Sequence, residues 1–299
     1  MRALQLIGKG LAGLLALCVV AIGLLYAQTE WKISRKAIPP TRAKLVVAHD
    51  SATLARGARL IVADGCTDCH TQDLGGQVLA DDPAFGRLAP SNLTSGAGGI
   101  AARYDDAGLD AAIRDGVGWD GRKLIFMPSH EYAGLADNDA AAIIAQLKTV
   151  APVNRAVPPM RLGLIARALM ATGKIVLLPN DQVDHGRVTR AMAPAGGTIE
   201  QGRYLAAGCT GCHGKDYGGG PIPGGPPGAK PSTNLTPGGR LGMWSEADFV
   251  KALREGVRPD GSAIDPSMPW KAMGKMTDEE LQGVYRYLTT LPPVAVSAH

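Results

Sequence analysis

Two twelve-residue stretches, GCTDCHTQDLGG at Gly65–Gly76 and GCTGCHGKDYGG at Gly208–Gly219, agree at eight positions. Each places two cysteines three residues apart and a histidine directly after the second. A zinc site needs four clustered Cys and His ligands, and nothing of that spacing accompanies either pair. A thioredoxin-like redox pair needs a preceding strand and a parallel sheet, whereas helix and loop patterns surround these cysteines. A disulfide framework does not suit pairs that lie 143 residues apart in a chain of 299 residues. Cys-x-x-Cys-His is instead the signature of covalent c-type haem attachment. Cys66 and Cys69 would each bond a haem vinyl group, with His70 beneath the iron; Cys209, Cys212 and His213 would do the same for a second haem.

The sixth iron ligand decides between electron transfer and chemistry on a small molecule, because only an open position admits a substrate. Met127 follows His70 by 57 residues and Met268 follows His213 by 55, and each begins a Met-Pro dipeptide. That repetition favours these two as ligands over the packing role that methionine usually has. His130 is the rival to Met127 and would lower the potential of the first haem. Met243, Met273 and Met276 have no counterpart in the first copy and read as packing, while His49, His185 and His299 read as surface residues.

The elements that must position these residues are also duplicated. SNLTSG at Ser91 matches TNLTPG at Thr233, AIRDGVGWDG at Ala112 matches ALREGVRPDG at Ala252, and FMPSH at Phe126 matches SMPWK at Ser267. Each copy spans about 100 residues, a size that folds alone. Short helices ending in left-handed glycine caps are expected before each cysteine pair. Gly116 and Gly256 should stop a second helix in each copy. Thr277 with Glu280 forms a capping box for the last helix, and Asp137 is its weaker counterpart in the first copy.

Between Lys9 and Glu30 lie 20 residues without a formal charge, enough as a helix to rise about 30 Å and cross a bilayer core. A cleaved signal peptide shares this pattern, but a cut after Ala27 would put Leu25 where a small residue is preferred, so an uncleaved anchor is favoured. The basic residues after the span, from Lys32 to Lys44, would by the positive-inside rule alone hold the rest of the chain in the cytoplasm. The net charge of +4 is modest and spread along the chain, which argues against nucleic acid as a partner. The expected fold is mainly α, divided into an anchor and basic flank (1–45), a first domain (46–153), a linker (154–197) and a second domain (198–299). The linker contains the amphipathic MRLGLIARALMATG, read as a connector packed on one of the domains, with a helix lying on the membrane surface or against a partner as the alternative.

The order helix, Cys-x-x-Cys-His, Gly/Pro loop with Asn-Leu-Thr, helix, Met-Pro, final helix resembles class I cytochrome c domains, and the two copies cover about two thirds of the chain. The whole is similar to bacterial membrane-anchored dihaem cytochromes c, and each domain to the cytochrome subunits of periplasmic alcohol and gluconate dehydrogenases. The resemblance implies two covalently bound haem c groups and an electron carrier rather than an enzyme. It also implies a single-pass protein of the bacterial inner membrane with its N-terminus inside and its haem domains in the periplasm, which overrules the basic flank. The implied partners are a quinol-oxidising complex, a terminal oxidase or a dehydrogenase. The alternatives are a permanent subunit of a dehydrogenase or oxidase complex, or a dihaem enzyme such as a peroxidase. Asn92 and Asn234 are expected to hold the haem loop or a propionate, with Arg87 and Lys230 as further propionate candidates, and Trp119, Trp244 and Trp270 to pack on haem or core. The family pattern crosses a glycine in the first helix with an aromatic in the last. Gly202 with Tyr285 or Tyr287 fits, whereas Gly57 would meet Ile144 and Gln146.

Overall fold

The computed structural model describes residues 2–37, 42–222 and 228–295. The expectation for His299 lies outside them. Helix α1 (Arg2–Ser34) carries the charge-free run, and from Gln5 onward its side chains project outward unpacked until the last three turns. Gln5–Ser34 is long and apolar enough to cross a membrane.

The first copy comprises α2 (Ser51–Ala63), α3 (Cys66–His70), the hairpin strands β1 (Ala80–Asp82) and β2 (Gly86–Leu88), α4 (Asp106–Asp115), α5 (Ser129–Tyr132) and α6 (Asp137–Thr149). Strand β3 (Arg161–Leu162) and helix α7 (Leu164–Ala171) follow in the connector, and β3 adds to β2 in antiparallel register, Arg87 opposite Arg161. The second copy comprises α8 (Ile199–Ala206), α9 (Thr210–His213), α10 (Glu246–Glu255), α11 (Trp270–Met273) and α12 (Asp278–Thr289). The mainly helical expectation is met.

Local signals account for most helix ends. Asp50, Asp105 and Ser245 cap α2, α4 and α10 by accepting backbone N–H bonds, and the capping box of Thr277 and Glu280 opens α12. Gly116 and Gly256 stop α4 and α10 in the left-handed region, as expected. Two expectations are corrected. Asp137 does not cap α6: the N-cap is Ala136, and the Asp137 carboxylate turns instead to Arg114, 2.7 Å away, and Thr189. Gly65 has the expected left-handed φ of 73°, but Gly208 does not. There the chain tightens through a 3-10 turn, Ala207–Cys209, that leads into α9 without a change of hand.

In both copies the first and last helices cross where a glycine admits the neighbouring backbone. A Cβ on Gly57 would stand 2.0 Å from the Ala142 carbonyl oxygen, and one on Gly202 would stand 1.8 Å from that of Gly283. The side chains beside these contacts are Gln146 and Tyr287. Ile144 turns away into the core of the first copy and is fully buried, so Ala142 takes the place expected of it. Because the close approach is backbone to backbone, the crossing survives the loss of the aromatic.

One apolar core fills the first copy around Leu60, Ile61, Ile113, Ile143 and Ile144, and another fills the second around Phe249, Leu253, Leu281, Val284 and Leu288. Ala63, from α2, belongs to the second core, so the two copies pack directly on each other. A third cluster joins α7 and the following Leu177 and Leu178 to Ile33 of α1 and Ile125. The connector thus packs on the first copy and on the end of α1.

Candidate haem sites

The two Cys-x-x-Cys-His helices sit in equivalent frameworks. The His70 ring faces the Ser91 carbonyl at 2.8 Å through Nδ1, and the His213 ring faces the Thr233 carbonyl at 2.7 Å. A carbonyl only accepts, so each Nδ1 carries the proton and each Nε2 keeps its lone pair free for a metal. Burial lowers both imidazole pKa values, which keeps the rings neutral, the state a metal requires.

The carbonyls that orient the histidines are held by the next residue in sequence. Asn92 donates to the Val153 and Arg155 carbonyls at 2.7 and 3.1 Å and accepts from the backbone and hydroxyl of Thr94. Asn234 repeats this with the Val294 carbonyl at 2.8 Å and with Thr236. Both side-chain amides therefore strap the Asn-Leu-Thr loop to the chain leaving the final helix. Gly76 and Gly219, at φ 71° and 78°, press the haem loop against that strap, where a Cβ would come within 2.5 Å of a backbone oxygen.

The first attachment cysteine and the Met-Pro methionine of each copy share apolar surroundings, whereas Cys69 is half-buried and Cys212 exposed. Cys66 and Met127 pack against the core of the first copy, and Cys209 and Met268 against that of the second. Burial pushes the Cys66 and Cys209 thiols up to about 12. No cluster of three or more His, Cys, Asp or Glu side chains able to hold a bare metal ion occurs among the described residues. A neutral imidazole with a free Nε2, two uncharged thiols and a thioether in an apolar setting fit haem c.

Other expected residues lie elsewhere. His130 is exposed on α5, its Nε2 4.0 Å from a Glu131 oxygen. Arg87 is paired with Asp81 across the hairpin at 2.8 Å, and the exposed Lys230 lies 3.4 Å from Asp265. Met243 is 81% exposed rather than packed, whereas Met276 is buried. His49 is exposed, but His185 is half-buried and faces the Asn180 carbonyl. Trp119 stands in solvent under Arg103, Trp244 joins the second core, and Trp270 covers Gly256. Arg155, not singled out by sequence, donates to the Gly76 carbonyl at 3.0 Å and pairs with Asp73, bracing the first haem loop. That pairing bridges 82 residues, and no motif announces it.

The two sites are also joined. Helix α5, which begins two residues after Met127, meets the 3-10 turn that carries Cys209, and Glu131 lies so close to α9 that a Cβ on Gly211 would be 2.7 Å from its carboxylate. Beside this contact Arg59 pairs with Glu280 across the copies, and the Tyr204 hydroxyl donates to Asp139 at 2.7 Å. Asp64, directly before the first haem segment, lies among these groups with one carboxylate oxygen buried and unbonded. Burial, reinforced by Asp139 and Glu280, pushes its pKa up to about 7.

Paired helix-crossing domains, each presenting one attachment motif and one oriented histidine, define a dihaem c-type architecture. Comparison with known proteins agrees: the cytochrome c family model matches residues 54–151 and 199–292, and the chain belongs to that family. It is 29% identical over 282 residues to the cytochrome c subunit of a quinone-dependent alcohol dehydrogenase from Gluconacetobacter polyoxogenes, a match that takes in 83% of this chain and 58% of that subunit. It is 27% identical over 277 residues to a dihaem c-type cytochrome from Cereibacter sphaeroides, covering 80% of this chain and 86% of that one. A 107-residue portion, 32% of this chain and 24% of the relative, is 39% identical to the cytochrome c subunit of gluconate 2-dehydrogenase from Pantoea cypripedii. With two domains of that family, the chain holds two covalently bound haem c groups, and it spans a little under three fifths of the alcohol dehydrogenase subunit it matches.

Proposed function

We propose that this protein is a membrane-tethered relay that passes electrons from a dehydrogenase to a further redox partner, a quinol-oxidising complex or a terminal oxidase, on the periplasmic side of a bacterial inner membrane. Bound haem supplies one-electron ferric/ferrous chemistry. Cys66, Cys69, Cys209 and Cys212 would hold the two groups covalently, and His70, Met127, His213 and Met268 would supply the ligands to their irons. The observation that carries the reading is the matched pair of sites, each with an imidazole fixed through Nδ1 and a methionine in the same apolar cluster as its first cysteine. The relatives named as dehydrogenase subunits support a dehydrogenase as donor. Helix α1 would be the tether, crossing once with its N-terminus inside; residues 1–45, 46–153, 154–197 and 198–299 would serve as anchor, first haem domain, connector and second haem domain.

The absorption spectrum of the reduced protein before and after carbon monoxide tests the carrier reading. An unchanged spectrum is expected, since both irons are then six-coordinate with firmly held ligands. A shift at one haem would overturn it in favour of a dihaem catalyst such as a peroxidase.

A further inference from the structure

Helix α7 turns one face inward and leaves the other without a partner. Ala166, Arg167 and Met170 are buried toward α1 and the first copy. On the opposite face Leu164 and Ile165 are 38% and 41% exposed. The tip of the β1–β2 hairpin extends this face: the Gly163 and Ile165 amides donate to the Phe85 and Ala84 carbonyls at 2.8 and 2.9 Å, and Phe85 itself is 54% exposed. Three large apolar side chains therefore lie together at the surface.

Their height relative to α1 is set by Arg167. Its guanidinium lies 4.3 Å from the Tyr26 ring, donates to the Thr29 hydroxyl at 2.7 Å and pairs with Glu30. These partners mark the last turn of the charge-free run, the level at which a spanning helix leaves hydrocarbon. From Tyr26 to Glu30 a helix rises about 6 Å, comparable with the depth of roughly 5–10 Å at which interfacial helices lie. Exposed Trp31, stacked under Arg35 at 4.5 Å, supplies the aromatic group that suits the headgroup level.

We propose that α7 and the β1–β2 hairpin tip are a second membrane contact, with Phe85, Leu164 and Ile165 inserted into the interfacial layer of the leaflet from which α1 emerges. The occupant of this face is lipid. The contact holds the first haem domain at a fixed attitude to the bilayer instead of letting it swing on the tether, so partners in the same membrane meet one orientation of it. The proposal rests on α1 being the anchor.

Nitroxide labels on the full-length holoprotein in nanodiscs of phosphatidylethanolamine and phosphatidylglycerol test both claims separately, since the haem-bonded cysteines carry no free thiol. Native Cys18 reports on the anchor. In a Cys18→Ser background, Ile165→Cys and Phe85→Cys report on the contact, and Val188→Cys, at a position 96% exposed, is the aqueous reference. The haem spectrum of each variant verifies its fold. Collisional relaxation by a water-soluble nickel chelate should be about threefold or more lower at positions 165 and 85 than at 188, with oxygen accessibility raised, as for labels below the headgroups. Chelate access at 165 and 85 equal to that at 188, with Cys18 protected, overturns the contact and leaves the anchor standing. Access at Cys18 removes the anchor and the contact together. Protection at 165 that arises only when a co-purified protein subunit is present overturns lipid as the occupant.

Discussion

At the residue scale, the site depends on which atom of each histidine is spoken for. The Ser91 and Thr233 carbonyls accept the Nδ1–H hydrogen bonds and leave each Nε2 free for a metal, and Asn92 and Asn234 keep those carbonyls in place. Met127 and Met268 are the side chains proposed to close the opposite coordination position. Met127→Ala and Met268→Ala should each open one iron, so carbon monoxide shifts about half of the reduced haem absorbance in either variant, following the rule that an open position binds small ligands. His130→Ala should leave the reduced spectrum unresponsive, like the parent. Response in His130→Ala but not in Met127→Ala would assign the first haem to the histidine. The cysteines and histidines were singled out as candidates from spacing alone, because the Cys-x-x-Cys-His pattern sets all three within five residues. The acceptors were not, since a backbone carbonyl has no sequence signature.

At the element scale, the duplicated crossing of α2 on α6 and α8 on α12 frames each site. The glycines are needed for lack of space: their Cα hydrogens touch a facing carbonyl that a methyl group would strike. Gly57→Ala and Gly202→Ala should each destabilise the holoprotein by about 3 kcal/mol in guanidinium unfolding, the upper range for overpacking a tight contact. Gly134→Ala, at a position with no atom within 4 Å, should be neutral. The helices themselves were readable from caps and periodicity. Asp137 misled because its carboxylate gains more from the fully buried Arg114 than from a helix end, a competition only the tertiary partner reveals. The 3-10 turn at Cys209 was unreadable for a related reason: a glycine permits a left-handed cap without requiring one.

At the scale of the molecule, the two haem domains form one body through α5, α9 and the charged seam of Arg56, Arg59, Asp64, Asp139 and Glu280. Asp64 gives that seam a pH signature. Its carboxyl ionises near 3.8 in an unfolded chain and at about 7 when folded, so between those values the folded state holds the extra proton. Stability from this group is complete below pH 4 and is lost as pH rises through 7. Asp64→Asn should remove that loss and stabilise the protein at pH 8 by about 2–4 kcal/mol, measured by denaturant unfolding across the pH range. A parallel pH profile in the variant and the parent would show that Asp64 ionises freely.

The sequence by itself determined the chemistry and the repeat: two covalent haem sites, their candidate ligands, an apolar span and a mainly helical chain. These follow from local rules, in which residue type and spacing within one turn, loop or helix suffice. Only the tertiary structure decided how the copies meet, what braces the first haem loop and where the connector goes. Arg155 with Asp73, Arg59 with Glu280 and Arg167 with Thr29 join residues 82, 221 and 138 positions apart. A guanidinium takes whichever acceptors the packed chain brings within reach, and no pattern along the sequence encodes that choice.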